Sequence, residues 1–200
     1  MKKVAIYGGS FNPIHLAHVK FADFAVRELN LDELYFMPAF VSPFKQDKKM
    51  ASGADRLAMV ESILDYNQKF KVSDYEIKKK QLSYTIESLD YLSNIIEGKL
   101  YYVVGFDALL TMEKWYKGDE ILSKFPLITA RRPGSDEIES LTKINYFIKN
   151  YNSKIKILDM PEIDISSSDI RNKIKAGESI KDLVLPATEE YICEHNLYRN

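Results

Sequence analysis

Residues 8–18, Gly-Gly-Ser-Phe-Asn-Pro-Ile-His-Leu-Ala-His, bring two adjacent glycines close to two histidines spaced three residues apart. Glycines at the end of a strand allow a tight turn and a close approach of backbone to phosphate. A helix that follows offers unpaired N–H groups and the positive end of its dipole. His15 and His18 share one side of that helix's first turn, from which their imidazoles can donate hydrogen bonds to phosphate oxygens. The chemistry in outline is anion binding. Two glycines alone would make only a turn, and the histidine pair changes that balance. A zinc site lacks support, because the one other histidine, His195, stands near the far end of the chain and no H-E-x-x-H pattern exists. No protein-held metal is expected. The dinucleotide pattern G-x-G-x-x-G and the phosphate loop G-x-x-x-x-G-K-[ST] are both absent, which removes the main support for a nicotinamide dehydrogenase or a P-loop enzyme.

Other segments offer complementary groups. In Ile165-Ser-Ser-Ser-Asp-Ile-Arg171, Ser166 precedes Asp169 by three residues, a capping-box arrangement that opens a helix whose first amides favour an anion. Ser167, Ser168 and the guanidinium fork of Arg171 stand beside it. Lys45 follows a Pro-bounded aromatic loop, and Asp107 lies just past a predicted strand. Trp115-Tyr116 supplies stacking surface, and Arg131 and Arg132 close another predicted strand. Each of these, taken alone, reads as an ordinary cap, surface charge or packed aromatic.

The elements that must position these groups alternate. Short β-rich runs at 4–7, 33–37, 70–73, 100–104, 126–130 and 155–158 are interleaved with helical periods at 16–29, 84–96, 119–123 and 137–150. A further helix opens at Ser52, capped through Asp55, and turns Leu57, Val60, Ile63 and Leu64 inward. Lys78-Lys79-Lys80 reads as a solvated turn. The pattern predicts an α/β fold, Rossmann-like and doubly wound, with a mainly parallel sheet covered on both faces. Such sheets bind ligands at the carboxyl ends of their strands. From residue 165 the strands cease, and helices over 166–176 and 186–196 with a break at Gly177 form an appendage. The expected organisation is one domain over 1–200, with an α/β core over 1–164 and a helical part over 165–200.

The 200 residues carry 28 basic and 29 acidic side chains, so no global positive field favours nucleic acid. The single cysteine, Cys193, excludes an internal disulfide framework and fits a reducing compartment. The apolar run at the N-terminus stops after four residues, far short of a signal-peptide core or a membrane span. A soluble cytoplasmic protein without membrane or nucleic-acid partners is expected. Scattered apolar residues on the helices also allow a homo-oligomer.

With these residues assembled, the chain resembles the HxGH nucleotidylyltransferase superfamily, in which residues 8–18 stand for G-[ST]-F-D-P-x-H-x-G-H. Within it the chain resembles the bacterial nicotinate mononucleotide adenylyltransferases through PAFVSPFK (38–45), SYTIESL (83–89), VGFDAL (104–109), Trp115-Tyr116, ARRPG (130–134) and ISSSDIR (165–171). The matching segments are collinear over nearly the whole chain. Three positions depart from the family pattern: Asn12 for Asp, Ala17 for Gly, and Phe44 where relatives often carry His.

The resemblance implies transfer of AMP from ATP to nicotinate mononucleotide, releasing pyrophosphate, with Mg²⁺ accompanying ATP. It implies that His15, His18, Lys45 and Arg171 carry catalysis by holding phosphates. It places Gly8, Gly9, Ser10, Phe11, Gly105, Asp107, Ile165, Ser167 and Ser168 with them around ATP. Thr85, Trp115, Tyr116 and Arg132 are implied around the pyridine nucleotide. The alternatives are another acceptor within the superfamily, such as nicotinamide mononucleotide or pantetheine phosphate, or a nucleotide-sensing module without catalysis.

Overall fold

The computed structural model describes residues 1–43, 50–130, 137–161 and 163–199. Lys45 and Arg132, with Phe44 and Arg131, lie outside the described residues. Along the chain run β1 (Lys3–Gly9), α1 (Leu16–Glu28), β2 (Glu33–Pro38), α2 (Gly53–Glu61), β3 (Phe70–Val72), α3 (Tyr75–Lys79), α4 (Thr85–Ile95) and β4 (Lys99–Val103). Then come α5 (Phe106–Leu110), α6 (Gly118–Lys124), β5 (Leu127–Ala130), α7 (Glu137–Tyr151), β6 (Ile155–Leu158), α8 (Ser167–Lys175) and α9 (Pro186–Glu194).

In β1, Val4 and Ile6 enter one apolar cluster while Ala5 and Tyr7 enter the other, so alternate side chains are buried on opposite faces. A strand buried on both faces needs helices on both, and its neighbours then connect by crossovers. The sheet order is β3-β2-β1-β4-β5-β6, and the pairs are parallel. The chain winds outward from β1 through β2 to β3, then returns to the other side of β1 and winds outward again. The direction reverses between β1 and β4, the place where such sheets open a crevice beyond the strand ends.

One face is covered by α1 through Val19, Ala22 and Val26, and by α2 through Met59 and Val60. Ile170, Ile180, Val184 and Ile192 of the C-terminal helical part enter the same cluster. The backbone is tied there too, since the Leu16 amide donates to the Leu183 carbonyl at 2.9 Å. The opposite face is covered by α4, α6 and α7 through Leu89, Ile121 and Phe147. Among the described residues, no helix is long and apolar enough to cross a membrane.

Three expectations are corrected. The helix opening at Ser52 ends at Glu61, and Leu64 begins a short 3₁₀ turn. Lys78 and Lys79 are not in a solvated turn. They end α3, where Lys78 pairs with Asp74 one helical turn earlier at 2.8 Å, Lys79 pairs with Glu87, and Lys80 closes the helix at φ 53°. The short α5 was not anticipated, because five residues are too few to show a helical period. The remaining predicted ends agree to within two residues.

Candidate functional site

A cleft of ≈ 620 Å³ opens beyond the carboxyl ends of β1 and β4. Three helix beginnings face it: His15, Ala17 and His18 from α1, Gly105 and Asp107 from α5, and Ser166, Ser167 and Ser168 from α8. Converging helix N-termini present unpaired amides and partial positive charge, the environment that a phosphate chain requires. Ser166 caps α8 as expected, accepting from the Asp169 amide at 3.1 Å and donating to its carboxylate at 2.6 Å. Gly8, Gly9, Ser10, Phe11, Ile165 and Arg171 complete the set, so every expected ATP-side residue that is described lines this one cleft.

The turn from Ser10 to Pro13 is held from behind. Arg56 donates to the Ser10 carbonyl at 2.9 Å, Arg171 to the Asn12 carbonyl at 2.8 Å, and the Ser167 hydroxyl to the Pro13 carbonyl at 2.9 Å. Asn12 Oδ1 accepts from the Ala51 amide at 3.0 Å and from the Tyr198 hydroxyl at 2.8 Å. Each of these contacts needs only an acceptor oxygen, which the Asn12 amide supplies. Gly9 is required by close approach, because a Cβ there would stand 2.9 Å from the buried Phe11 ring. Ala17 lines the cleft at the start of α1.

His15 is the N-cap of α1, and its amide donates to His18 Nδ1 at 3.3 Å. In its neutral form His18 therefore carries its proton on Nε2. The His15 ring is 6% exposed, and burial lowers its pKa to about 4, so it is neutral at neutral pH. Its Nδ1 is buried without a hydrogen-bond partner among the described residues. His15 lines the cleft, and a buried, unsatisfied imidazole nitrogen at its wall suits a ligand that brings the missing partner.

A second cleft of ≈ 390 Å³ adjoins the first and is lined by Thr85, Trp115 and Tyr116, the described members of the expected pyridine set. Gly8, Gly9 and Ser10 line both clefts, so the turn after β1 separates them. Trp115 is half-buried and Tyr116 exposed, with the Tyr116 ring 4.7 Å from that of Tyr84. Beneath them lies a polar floor. Ser88 donates to the buried Glu76 at 2.5 Å, and Tyr102 is hydrogen-bonded to Thr85. Burial raises the Glu76 pKa, opposed by hydrogen bonds from Ser83 and Ser88 and by the charges of Lys79 and Arg56.

Sequence reasoning passed over Arg56, Glu76, Tyr102, Gly118 and Tyr198. A signal for Arg56 existed, since it shares the inward stripe of α2 with Met59, Val60 and the following Ile63 at helical spacing. Gly118 stands where a Cβ would lie 1.9 Å from the Met112 carbonyl oxygen, which folds the Trp115-Tyr116 segment back on itself. Among the described residues no group of three His, Cys, Asp or Glu side chains is placed to hold a metal ion.

The chain matches the cytidylyltransferase-like family over residues 6–173. It is 40% identical over 199 residues to a protein of Clostridium acetobutylicum named "Probable nicotinate-nucleotide adenylyltransferase", covering 99% of this chain and 100% of that one. A protein of the same name from Caldicellulosiruptor saccharolyticus is 39% identical, with 98% and 99% covered. Among solved structures, a Plasmodium falciparum nicotinic acid mononucleotide adenylyltransferase complexed with NaAD superposes with a TM-score of 0.81 at 23% identity, covering 99% of this chain and 98% of that one.

Proposed function

Since the chain belongs to the nicotinate-nucleotide adenylyltransferase family, within the cytidylyltransferase-like proteins, we infer that it joins ATP and nicotinate mononucleotide into nicotinate adenine dinucleotide and pyrophosphate. An oxygen of the mononucleotide 5'-phosphate attacks the α-phosphorus of ATP, and the bond from that phosphorus to the bridging oxygen of pyrophosphate breaks. The nucleophile is already anionic, so no protein base is needed. The observation that carries this reading is the pair of clefts meeting at Gly8–Ser10, where two nucleotides held end to end would bring their phosphates together.

Catalysis then rests on alignment and on charge stabilisation. The first cleft receives ATP, its phosphates against the N-termini of α1 and α8. His15, neutral in the free protein, and His18, through Nε2, act as donors, and Arg171 adds a positive charge at the same rim. Lys45 belongs to this reading by its place in the family pattern, as a cation for the triphosphate, and Gly105 and Asp107 by their place at the start of α5. The second cleft receives the pyridine, with Trp115 for stacking, Tyr116 and Thr85 around the ring, and Arg132 as a further cation by analogy. Mg²⁺ fits as the counter-ion of ATP without a protein cage, because it keeps phosphate and water ligands by preference. Bound there, it would supply positive charge to the pyrophosphate leaving group. Soluble substrates of this kind suit a cytoplasmic enzyme, and the exposed Ile138, Tyr146 and Ile148 of α7 leave a surface for a homo-oligomer.

The test is pyrophosphate release with ATP and each of nicotinate mononucleotide, nicotinamide mononucleotide and pantetheine phosphate. Highest kcat/KM is expected with the nicotinate form. Release with another acceptor alone would reassign the substrate, and release with none would leave a nucleotide-binding module.

A further inference from the structure

Glu76, on the short helix α3, is 6% exposed and lines the second cleft. Its carboxyl accepts from the Ser88 hydroxyl at 2.5 Å and is hydrogen-bonded to the Ser83 hydroxyl as well. Ser83 stands two residues before Thr85 and Ser88 three residues after it, so one carboxyl spans the start of α4 around the threonine that lines the cleft. The Ser83 oxygen also accepts the Phe40 amide at 2.9 Å, and the Ser83 amide donates to the Val41 carbonyl at 2.9 Å. A chain of hydrogen bonds thus runs from α3 through Ser83 to the segment after β2, whose Ala39 and Ser42 line the same cleft. Lys79, three residues along α3, pairs with Glu87 of α4 and ties the two helices a second time.

Burying a carboxyl is costly, and an apolar side chain would pack at this position without that cost. The return is directional. Both serines favour the ionised carboxylate, which only accepts hydrogen bonds. Each hydroxyl has a single proton, and the one that Ser83 gives to Glu76 leaves its lone pairs to the Phe40 amide. We propose that Glu76 is a positioning residue for the pyridine nucleotide: through Ser83 and Ser88 it fixes the start of α4 against the segment after β2, and with them the wall of the second cleft. This rests on the functional reading given above.

The experiment compares wild type with E76Q, S83A and the double variant in pyrophosphate release, at a temperature where circular dichroism shows each folded. E76Q keeps the shape but can accept from one serine only, because its amide nitrogen donates where the other hydroxyl also donates. S83A removes the middle of the chain and leaves Glu76 with Ser88. The first cleft draws on α1, α5 and α8, so KM for ATP serves as the internal control. In both single variants KM for nicotinate mononucleotide is expected to rise ~5- to 30-fold while KM for ATP stays within about twofold of wild type. The double variant is expected to cost no more than the worse single one, since the chain is broken once. Folded E76Q and S83A with KM for the mononucleotide within about twofold of wild type overturn the proposal. So does an equal rise in both KM values, the mark of a residue that supports the fold alone, or a double variant whose losses multiply in full. Where E76Q does not fold, S83A decides by the same KM comparison. Wild type that releases no pyrophosphate with nicotinate mononucleotide overturns the functional reading itself, and this proposal with it.

Discussion

His18 Nδ1 accepts the backbone amide of His15 at 3.3 Å, and the two imidazole rings lie 3.7 Å apart at an interplanar angle of 33°. One nitrogen of His18 therefore serves the helix start, and the functional reading gives the other, Nε2, to a ligand. The two roles are separable by substitution. His18→Asn places an oxygen near the Nδ1 position and should keep the fold while losing the donor, with kcat falling ~10²- to 10³-fold. His18→Gln places an amide N–H nearer the Nε2 position and should recover part of that loss. Steady-state kinetics beside thermal unfolding checks both, and equal kcat in the two variants would contradict the assignment of Nε2.

His15 predicts a pH dependence. Its folded pKa, lowered by burial to about 4, lies below the ordinary 6.5, so between these values the unfolded chain binds more protons than the native one. Stability from this group is present above pH 6.5 and is lost as the pH falls toward 4, by on the order of 2–3 kcal/mol. Urea unfolding of wild type and His15→Phe at several pH values should show a shallower slope for the variant across that window. Parallel profiles would remove His15 as the cause. ATP binding, which supplies an anion to the ring, should take up protons below about pH 6, measurable by titration calorimetry in buffers of different ionisation enthalpy.

Gly118 couples backbone packing to the second cleft. Gly118→Ala forces a methyl against the Met112 carbonyl, whose oxygen would stand 1.9 Å from the new Cβ. The expected cost is about 1–3 kcal/mol of stability. Because Trp115 and Tyr116 lie within the affected segment, KM for the mononucleotide should rise more than KM for ATP. Equal effects on both substrates would mean that the segment does not hold the pyridine.

Tyr198 reaches Asn12 from near the far end of the chain. Tyr198→Phe removes one of two hydrogen bonds to Asn12 Oδ1, leaving that from Ala51. A loss of about 0.5–1.5 kcal/mol in denaturant unfolding is expected. Asn12→Asp keeps an acceptor for both donors and should retain the fold and most of the activity. If it abolishes activity, the amide nitrogen of Asn12 has a role that these contacts do not reveal.

The sheet was legible because its strands are buried on both faces and read as short apolar runs, with helical periods such as Leu16, Val19, Ala22 and Val26 between them. The first cleft was legible for a different reason. His15, His18 and the serines after Ile165 combine with local turn and cap chemistry that is written in adjacent residues. Arg56 and Glu76 escaped because a charged residue on an inward stripe looks like a solvated one until its partners are known, and those partners are backbone carbonyls and hydroxyls from other segments. Gly118 escaped because the crowding that demands it comes from Met112, six residues earlier, through a turn too tight to carry a period. Tyr198 lies 186 residues from Asn12, a pairing that no local pattern encodes.

Beside Arg56 and Ala51, the grip on the Ser10–Pro13 turn comes from Ser167, Arg171 and Tyr198, 154 to 186 residues downstream. During synthesis the turn is made first and its clasps last. A nascent chain can complete β1 and α1 long before the groups that steady the phosphate turn exist, so nucleotide affinity should arrive late and in one step. Ligand then favours the finished molecule over every shorter one, shifting the folding equilibrium by mass action only once α8 and the segment beyond α9 have docked. The catalytic surface in this sense records that synthesis has passed Tyr198.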